Sequence, residues 1–304
     1  MPLKSFDELF ASADALPQPV PVAAAGGADS TVIKALDLAR RRGWVRPILT
    51  GDRERITQIA DQLDVDLGPF EIVPDAEDSA VEAVRLVKTG KAHLLMKGQI
   101  STPSLMKGIL DKEQGLRTGK TICQVVLMEI NRDRRAFLMT DTGVTIAPTL
   151  AQKQELIQTV VDVAQRLGSA EPRVALMSAT EKVTAALPDT LETQQLVSQG
   201  EQGEFGNCLL QGPLSFDLAY AVDAGQKKRI GGSVTGAADA MVFPDLVSAN
   251  LTVKGIMYTA DCRFGGVLRG TTHPVVFMSR ADTVETRLNS LAYALQLRNV
   301  SREL

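Results

Sequence analysis

The sequence predicts an α/β protein with two domains, built mainly on parallel strands. Short apolar runs alternate with helical patterns along most of the chain, as expected for a parallel sheet covered by helices. Residues 121–141 break this alternation, because two strand-like runs flank a charged turn at residues 131–135. Such a pair indicates an antiparallel hairpin at a change of domain. With 304 residues, the chain is long enough for two domains that each have a core.

The alternation can be followed element by element. Each apolar run ends in a small or polar cluster, and a helical pattern begins after it. The last helical pattern has Val284, Leu288, Leu291 and Leu295 spaced for one buried face. The runs that start each repeat of this alternation are VPVAAAGGADS, VRPILTGD, AHLLMKGQISTP, RAFLMTDTG, RVALMSATE, NCLLQGPLSFD, DAMVFPD and PVVFMSRAD.

The hairpin places one domain boundary near residue 130, and the chain is expected to return to its first domain near residue 270. Residues 1–130 and 270–304 would then form the first α/β domain, and residues 131–269 a second, inserted α/β domain. In open parallel sheets, ligands bind beyond the carboxyl ends of the strands. The polar clusters that end the apolar runs all lie there, so they predict one ligand-binding cleft.

Composition excludes several classes of function. The net charge is −3, so no overall positive field draws the protein to nucleic acid or to a lipid surface. One Trp and three Tyr are too few for base-stacking platforms. Any anionic ligand must therefore be held by basic residues close to it.

The three cysteines, Cys123, Cys208 and Cys262, are widely spaced and form neither a zinc pattern nor a disulfide framework. This usage indicates a reducing compartment, and we expect a cytoplasmic protein. Cys123 and Cys208 lie in apolar runs and are expected to be buried and inert. No apolar stretch is long enough to cross a bilayer.

The segment MKGQISTPSLMKG, residues 96–108, is a candidate anion site. Pro103 suits the first position of a helix, which makes Thr102 the predicted N-cap with Ser101 before it. Lys97 and Gly98 leave the preceding strand at the same point. A helix start, a glycine that lets backbone approach a ligand, and a lysine would together hold phosphate. A glycine turn with a capped helix and exposed lysines explains the same residues equally well.

Three further groups of residues each have a functional and a structural interpretation. Arg117, Thr118 and Lys120 could grip a phosphate or form a solvated loop. Asp141, at a strand end, could orient an arginine, accept a proton or form an Asx turn. The basic segment GQKKRIGG, residues 225–232, is predicted as a loop that either is solvated or binds a remote phosphate.

The closing segment HPVVFMSRADTVETRLNS, residues 273–290, places Ser279 and Arg280 at the exit of a buried strand. Either Ser279 or Asp282 caps the following helix, with Arg280 in water. Alternatively, the helix start and Arg280 face a phosphate, and Ser279 lies beside the reacting atoms.

Other kinds of site find little support. The sequence has no G-x-G-x-x-G or Walker pattern and only two histidines, His93 and His273, both at strand starts. Ser-His-Asp catalysis is therefore not expected. Carboxylates and histidines do not occur at metal-ligand spacing, so we expect no metal.

Three segments together carry a resemblance to a known family. MKGQISTPSLMKGILDKEQGLRTGK, TGAADAMVFPDLVSANLTVKGIMYTAD and FGGVLRGTTHPVVFMSRADTVETRLNSLAYA resemble, in order and with kept spacing, the phosphate acyltransferase family. This family contains phosphate acetyltransferase and phosphate butyryltransferase, and the chain resembles the butyryl branch more closely. The resemblance implies a fold similar to the isocitrate and isopropylmalate dehydrogenases, with the active site between two α/β domains.

The resemblance also implies an activity: reversible conversion of acyl-CoA and phosphate to CoA and acyl phosphate, by direct thiolate attack in a ternary complex. The expected partners are CoA, acyl-CoA, phosphate and acyl phosphate, with no bound cofactor, and a homodimer or higher homo-oligomer is expected. A binding protein for CoA esters or acyl phosphates that lacks catalysis is one alternative. A hydroxy-acid dehydrogenase of the same fold is another, although the sequence supplies neither its acidic metal ligands nor its nicotinamide site.

Residue roles follow from the matched positions. Arg280 matches the family's phosphate-binding arginine, Ser279 matches the serine beside the reacting carbonyl, and Asn250 and Lys254 match binding positions after the PDL motif. The acetyl branch has an aspartate, taken as the thiol base, seven residues after that serine. Here Thr286 occupies that position, so Glu285 or Asp282 is expected to be the base. Thr145 stands where many relatives have Asn.

Overall fold

The computed structural model describes residues 2–74, 78–277, 279 and 282–298. The chain forms two compact units. The first unit comprises Phe6–Lys120 and Phe264–Leu304, and the second comprises Met1–Ser5 and Thr121–Arg263. The sequence places the boundaries near 130 and 270, whereas these units divide at 120/121 and 263/264. The first boundary differs because both strands of the hairpin lie in the second unit.

The first part of the chain alternates helices and strands up to residue 110. Its elements are α1 (Phe6–Asp14), β1 (Val20–Ala25), α2 (Ser30–Arg41), β2 (Val45–Thr50), α3 (Arg53–Gln62), β3 (Glu71–Val73), α4 (Ser79–Lys88), β4 (Leu94–Lys97) and α5 (Thr102–Leu110). Strands β1 to β4 pair in parallel, in the order β3-β2-β1-β4. Residues 22–25 of β1 and 94–96 of β4 are fully buried, which explains why these strands are continuous apolar runs.

The second unit begins with the predicted hairpin. Its elements are β5 (Cys123–Ile130), β6 (Arg135–Thr140), α6 (Leu150–Arg166), β7 (Arg173–Met177), α7 (Pro188–Glu201), β8 (Leu209–Leu214), α8 (Phe216–Tyr220), α9 (Val222–Lys228), β9 (Ala240–Val242) and α10 (Leu246–Thr259). β5 and β6 pair antiparallel, so the hairpin prediction is confirmed. The strand order within the unit is β5-β6-β9-β7-β8, and every pair except β5-β6 is parallel.

The chain then returns to the first unit through β10 (Cys262–Arg269), β11 (Val275–Val276) and α11 (Val284–Leu297). β11 pairs in parallel with β4 and antiparallel with β10. The first unit's sheet therefore reads β3-β2-β1-β4-β11-β10. Its central strand, β4, is flanked by strands from opposite ends of the sequence.

Most helices begin at a side chain that satisfies a free backbone N–H. In α6, Thr149 and Gln152 form a reciprocal capping box. Aspartates cap four helices, because a carboxylate accepts strongly and also favours the positive end of the helix dipole. These aspartates are Asp29 on α2, Asp52 on α3, Asp78 on α4 and Asp245 on α10.

The start of β6 is fixed by Arg135. Its guanidinium donates to the backbone carbonyls of Tyr220, Gly236 and Ala238 and lies 4.6 Å from the centre of the Tyr220 ring. These bonds satisfy three backbone carbonyl oxygens with a single side chain. Within the described part of the chain, no helix is both long enough and apolar enough to span a membrane.

Candidate active site

Strands β1, β4 and β11 of the first unit run side by side in parallel, so their carboxyl ends meet at one edge of the sheet. We call this the carboxyl edge. Lys97 ends β4, Gly98 follows it, and Ser279 follows β11. Two separate clusters predicted from the sequence thus share this edge, as expected for ligand sites in parallel sheets.

Gly98 lies against the backbone that follows β1. Its N–H donates to Ala25 O at 2.8 Å, and a Cβ atom at this position would lie 2.2 Å from Gly26 O. Any side chain here would therefore collide with backbone. The sequence predicts that a ligand approaches Gly98, whereas the backbone that comes close to it is that of the loop after β1.

The start of α5 differs from the prediction by one residue. Ser101, not Thr102, is the N-cap, and its hydroxyl accepts from Ser104 N at 3.1 Å. Thr102 is the first helical residue and is exposed, so Pro103 occupies the second helical position. The shift is sterically allowed because that position also needs no intrahelical N–H bond.

Lys97 is almost completely buried, at 3% exposure. This excludes, for Lys97, the alternative in which the lysines of this segment are exposed. A charged ammonium is costly to bury, and lysines at such positions usually serve a charge that needs neutralising.

A second buried cation, Arg287, was not identified from the sequence. It is 1% exposed; its Nε donates to Thr31 Oγ1 at 2.7 Å and one terminal nitrogen donates to Lys97 O at 3.1 Å. Thr31 in turn donates to Asp29 at 2.6 Å. Burial lowers the pKa of Arg287, and the carboxylates of Asp29 and Asp282 act in the opposite direction. We call Asp29, Thr31, Lys97 and Arg287 the Arg287 cluster.

Within the described residues, Arg287 has no carboxylate at ion-pair distance, since both of its hydrogen bonds go to neutral oxygens. Its positive charge is therefore only partly compensated by the chain. One signal in the sequence could have revealed it. Arg287 lies three residues after Val284 and four before Leu291, on the apolar stripe predicted to be buried.

The start of α11 resolves the question of the cap. Thr283 is the N-cap and accepts from Thr286 N at 3.2 Å, so the interpretation that Ser279 or Asp282 caps this helix is wrong. Instead, Asp282 accepts from Ser279 N at 2.5 Å and closes a short turn. Arg280 lies outside the described residues.

The candidates for the thiol base are placed differently. Thr286 is buried and its hydroxyl lies 3.1 Å from that of Thr283, so it belongs to the cap. Glu285 is exposed on the first turn of α11. Asp282 is half-buried and directly linked to Ser279. Of the two carboxylates, Asp282 is the one tied to the serine.

In the second unit, Asp141 follows β6 and is 2% exposed. Its carboxylate accepts backbone N–H bonds from Gln124, Gly143, Val144 and Thr145, at 2.7 to 3.2 Å. Burial raises the pKa of Asp141, and the backbone donors oppose this rise without cancelling it. This geometry matches the Asx-turn interpretation, in which the carboxylate fixes the loop.

Asn250 holds the same loop from α10, because its side-chain amide donates to Thr142 O at 2.9 Å. Lys254 lies one turn further along α10 and is exposed. Thr145 is half-buried and its hydroxyl donates to Ile122 O at 3.2 Å.

Arg117 and Thr118 lie away from the turn at Ser279. Thr118 Oγ1 donates to Gly270 O at 2.6 Å, and the backbone of Arg117 forms a single antiparallel β-bridge with that of Thr271. Gly270 and Thr271 precede β11, whereas Ser279 follows it. Both Arg117 and Thr118 are exposed.

The basic segment at residues 225–232 is not simply a loop, because α9 extends to Lys228. Lys227 pairs with Asp223 and Lys228 with Asp217, each at 2.8 Å. These ion pairs agree with a solvated face.

His273 and the three cysteines lie in buried or half-buried surroundings. Burial, and next the neighbouring His93, lower the pKa of His273. Cys123 is buried, and burial raises the pKa of the half-buried Cys208 and Cys262. Among the described residues, no three His, Cys, Asp or Glu side chains are grouped to share a metal ion.

The chain was compared with known families and structures. A family model described as phosphate acetyl/butaryl transferase matches residues 75–295. The chain belongs to this family. The phosphate butyryltransferase of Clostridium acetobutylicum is 36% identical over 294 residues, covering 96% of this chain and 97% of that protein. The phosphate acetyltransferase of Thermotoga maritima is 36% identical over 272 residues, covering 89% and 92%.

A solved structure has the same fold. The branched-chain phosphotransacylase from Enterococcus faecalis V583 superposes with a TM-score of 0.80 at 29% identity, covering 91% of this chain and 98% of that one. The family resemblance seen in the three sequence segments is confirmed, as is the mixed α/β fold. The family is one of acyltransferases.

We predict that Arg287→Met destabilises the first unit. The substitution removes the hydrogen bonds that Arg287 donates to Lys97 O and Thr31 Oγ1, which should lower the free energy of unfolding by about 2–4 kcal/mol. The free energy of unfolding of Arg287→Lys should lie between those of the parent and Arg287→Met, because an ammonium keeps the charge but cannot form the same pair of hydrogen bonds. Urea unfolding measures both.

Arg41→Met is the matched control, since Arg41 is an exposed arginine paired with Asp37 on α2. It should cost less than about 1 kcal/mol. Equal losses for Arg287→Met and Arg41→Met would contradict the structural role of the Arg287 cluster.

A second prediction concerns pH. Because burial raises the pKa of Asp141, the folded protein holds this proton more tightly than the unfolded chain does. The resulting stability is complete below the unfolded pKa of about 3.9 and is lost as the pH rises through the raised folded value. Asp141→Asn should remove this decline in unfolding free energy above about pH 4.

The control is Asp223→Asn, because the hydrogen bond with Lys227 lowers the pKa of Asp223. Asp223 stabilises the folded protein above its unfolded pKa, and this contribution is lost as the pH falls. Asp223→Asn should therefore change the pH dependence of the unfolding free energy in the direction opposite to Asp141→Asn. Denaturation curves between about pH 2 and 7 cover both trends, and identical slopes above about pH 4 for parent and Asp141→Asn would refute the prediction.

Proposed function

We propose that this chain transfers a short-chain acyl group reversibly between CoA and inorganic phosphate. The observation that carries the proposal is the carboxyl edge of the first unit, where the buried cations Lys97 and Arg287 share one edge with Ser279. Family membership supports the same activity. A partly compensated positive charge on the same sheet edge as a serine suits a reaction in which phosphate is bound and an oxyanion develops.

In either direction of the reaction, the CoA thiolate or a phosphate oxygen attacks the carbonyl carbon of the acyl group, and the group bound to that carbon leaves. When acyl phosphate is the donor, CoA must lose its thiol proton, because a thiol with a pKa of about 8.5 is mostly protonated at pH 7. The thiolate attacks the carbonyl, the oxyanion collapses, and phosphate departs. Since both substrates are held together, no covalent enzyme intermediate is needed.

Ser279 is proposed to donate to the developing oxyanion, and Arg280 to bind the phosphate through paired hydrogen bonds. The proposed base is a carboxylate at the start of α11. Glu285 is one candidate, and Asp282 is the other. The hydrogen bond from Ser279 N to Asp282 favours Asp282, because a base must lie close to the reacting atoms.

Substrate anions are proposed to be held by the remaining candidates. Lys97 would face the phosphate together with the start of α5 at Ser101 and Thr102. Gly98 would serve by its close contact with the backbone that follows β1. In the first unit, the exposed Arg117 and its neighbour Thr118 are candidates for binding the phosphate groups of CoA. In the second unit, the exposed Lys254 and Asn250 are separate candidates for binding a substrate anion. Asp141 would serve by fixing the loop that follows β6.

Several wider features are part of the proposal. They are an isocitrate and isopropylmalate dehydrogenase-like fold, the absence of a resident cofactor with CoA acting as substrate, and a cytoplasmic location. Acyl chain length is left to the assay, because acetyl and butyryl groups differ by two methylenes at roughly 0.8 kcal/mol each when buried. The compared relatives named for the two acyl groups are both 36% identical to this chain.

The decisive experiment is phosphate-dependent release of CoA from acetyl-, propionyl- and butyryl-CoA, followed with a thiol reagent. Arg280→Ala should reduce kcat about 100-fold or more, because it removes charge stabilisation from the transition state. Of Asp282→Asn and Glu285→Gln, the variant that removes the base should lose about 100-fold or more and lose its pH dependence.

Arg41→Met serves again as the control and should retain parental rates. Protein that binds CoA but releases none from any of the three thioesters would overturn the transfer reaction. That result would identify a binding protein for CoA esters.

We also propose that the protein is a homodimer or higher homo-oligomer, joined through α10. Val247, Leu251 and Tyr258 are 62%, 68% and 76% exposed on this helix, and Lys254 is its only charged residue. An exposed apolar helix face with so little charge is typical of a surface that packs against a second copy.

Leu251→Lys should therefore shift the protein towards monomer in size-exclusion chromatography with light scattering, because a buried charge would oppose association. Leu38→Lys is the control, since Leu38 is 45% exposed on α2 of the first unit. A monomeric parent, or an unchanged mass for Leu251→Lys, would exclude this interface.

A further inference from the structure

A cavity of about 340 Å³ lies in the second unit, where β7 and β9 end. Met177, the last residue of β7, and Phe243, which follows β9, both line it. These two strands are neighbours and run in parallel. From β7 the chain continues through α7 to β8, whereas from β9 it leaves the unit through α10. Open α/β sheets bind ligands at such points, where the connections from adjacent strands diverge.

The wall of the cavity is mainly apolar. Its apolar lining residues include Met177, Leu187, Phe216, Phe243 and Pro244. The charged lining residues are two carboxylates, Asp189 and Asp245, and none of the described lining residues is Lys or Arg. A phosphate or carboxylate group would therefore be repelled and left without a counter-charge.

The polar groups of the wall can accept hydrogen bonds but have few protons to offer. Ser178 donates its hydroxyl proton to Asp189 at 2.6 Å, and Ser248 and Thr252 donate theirs to backbone carbonyls at 3.0 and 2.7 Å. Asp245 accepts from Ser248 N through one oxygen only. The unused capacity consists of carboxylate oxygens and hydroxyl lone pairs, all of them acceptors.

We propose that this cavity binds an uncharged, largely apolar group that carries N–H donors. The inference rests on the proposed function and identifies a binding site for part of the thioester substrate. Coenzyme A offers two groups of this chemistry: the amide-containing pantetheine arm and the amino-bearing adenine base. The volume is at the low end of the range of about 300–1,000 Å³ for ligand sites, so one such group fits, and the phosphates stay outside.

These lining residues differ from those predicted in this unit from the sequence. Asp141, Asn250 and Lys254 do not line the cavity. Asn250 is two residues from both Ser248 and Thr252 on α10, so it points to another side of the helix. Its amide is engaged with Thr142 O instead.

Ala179→Trp tests the proposal, because Ala179 is an exposed lining residue and the indole would fill the cavity without removing a core side chain. We expect KM for butyryl-CoA to rise about tenfold or more, with kcat and KM for phosphate unchanged. Ala186→Trp is the matched control: Ala186 is exposed in the same connection but does not line the cavity, and the substitution should leave all constants unchanged.

Two fragments distinguish the sources of the N–H donors. If the pantetheine arm occupies the cavity, Ala179→Trp weakens calorimetric binding of pantetheine about tenfold and leaves that of adenosine unchanged. If the adenine base occupies the cavity, Ala179→Trp weakens binding of adenosine about tenfold and leaves that of pantetheine unchanged. Asp189→Asn should weaken the same fragment, because it replaces an acceptor oxygen with a donor of similar size. Unchanged binding of both fragments in both variants would overturn the proposal.

The two proposals fail separately. Parent protein that releases CoA, with fragment binding unaffected by Ala179→Trp, would sink the cavity assignment and leave the transfer reaction standing. Parent protein without turnover, whose pantetheine or adenosine binding is lost in Ala179→Trp, would support the cavity and sink the transfer reaction.

Discussion

The first unit's carboxyl edge depends on the hydrogen bonds that the guanidinium of Arg287 donates. This guanidinium comes from α11, near the end of the chain, and bonds to Thr31 on α2 and to the carbonyl that ends β4. These contacts join the first turn of α2, which follows β1, and the end of β4 to α11, which follows β11. Because both acceptors are neutral, the fold keeps a buried positive charge whose field is weakly screened. The same group thus supports the loops and makes the edge attractive to an anion.

In the second unit, a negatively charged side chain fixes the loop that follows β6. The carboxylate of Asp141 gathers four backbone N–H groups, and Asn250 holds the carbonyl of Thr142 from α10. Loops at strand ends have few backbone partners of their own, so a single polar side chain can determine their path. In both units, polar residues that could be mistaken for ligand contacts are first of all structural.

Much of the fold could be predicted, because fully buried parallel strands are continuous apolar runs and helices repeat with their own period. The hairpin was equally visible, since only the charged turn interrupts it. Cap positions were less certain, because polar residues cluster at helix starts: Ser101 and Thr102 compete at α5, as do Ser279, Asp282 and Thr283 at α11. Arg287 was missed for another reason. Its place on the buried stripe of α11 is visible in the sequence, but its partners lie 256 and 190 residues away, so the sequence does not show which groups accept from the buried charge.

The arrangement of β4 and β11 has a consequence for biosynthesis. β4 is made early, yet one of its two neighbours is β11, and the helix that anchors its last carbonyl follows still later. On the ribosome, all strands of the second unit emerge before β11 does. That unit can fold while the first still has an open strand edge, which is a site for wrong pairing. A nascent chain that stalls before residue 275 would thus expose the centre of its first sheet, and chaperone binding would be needed most there.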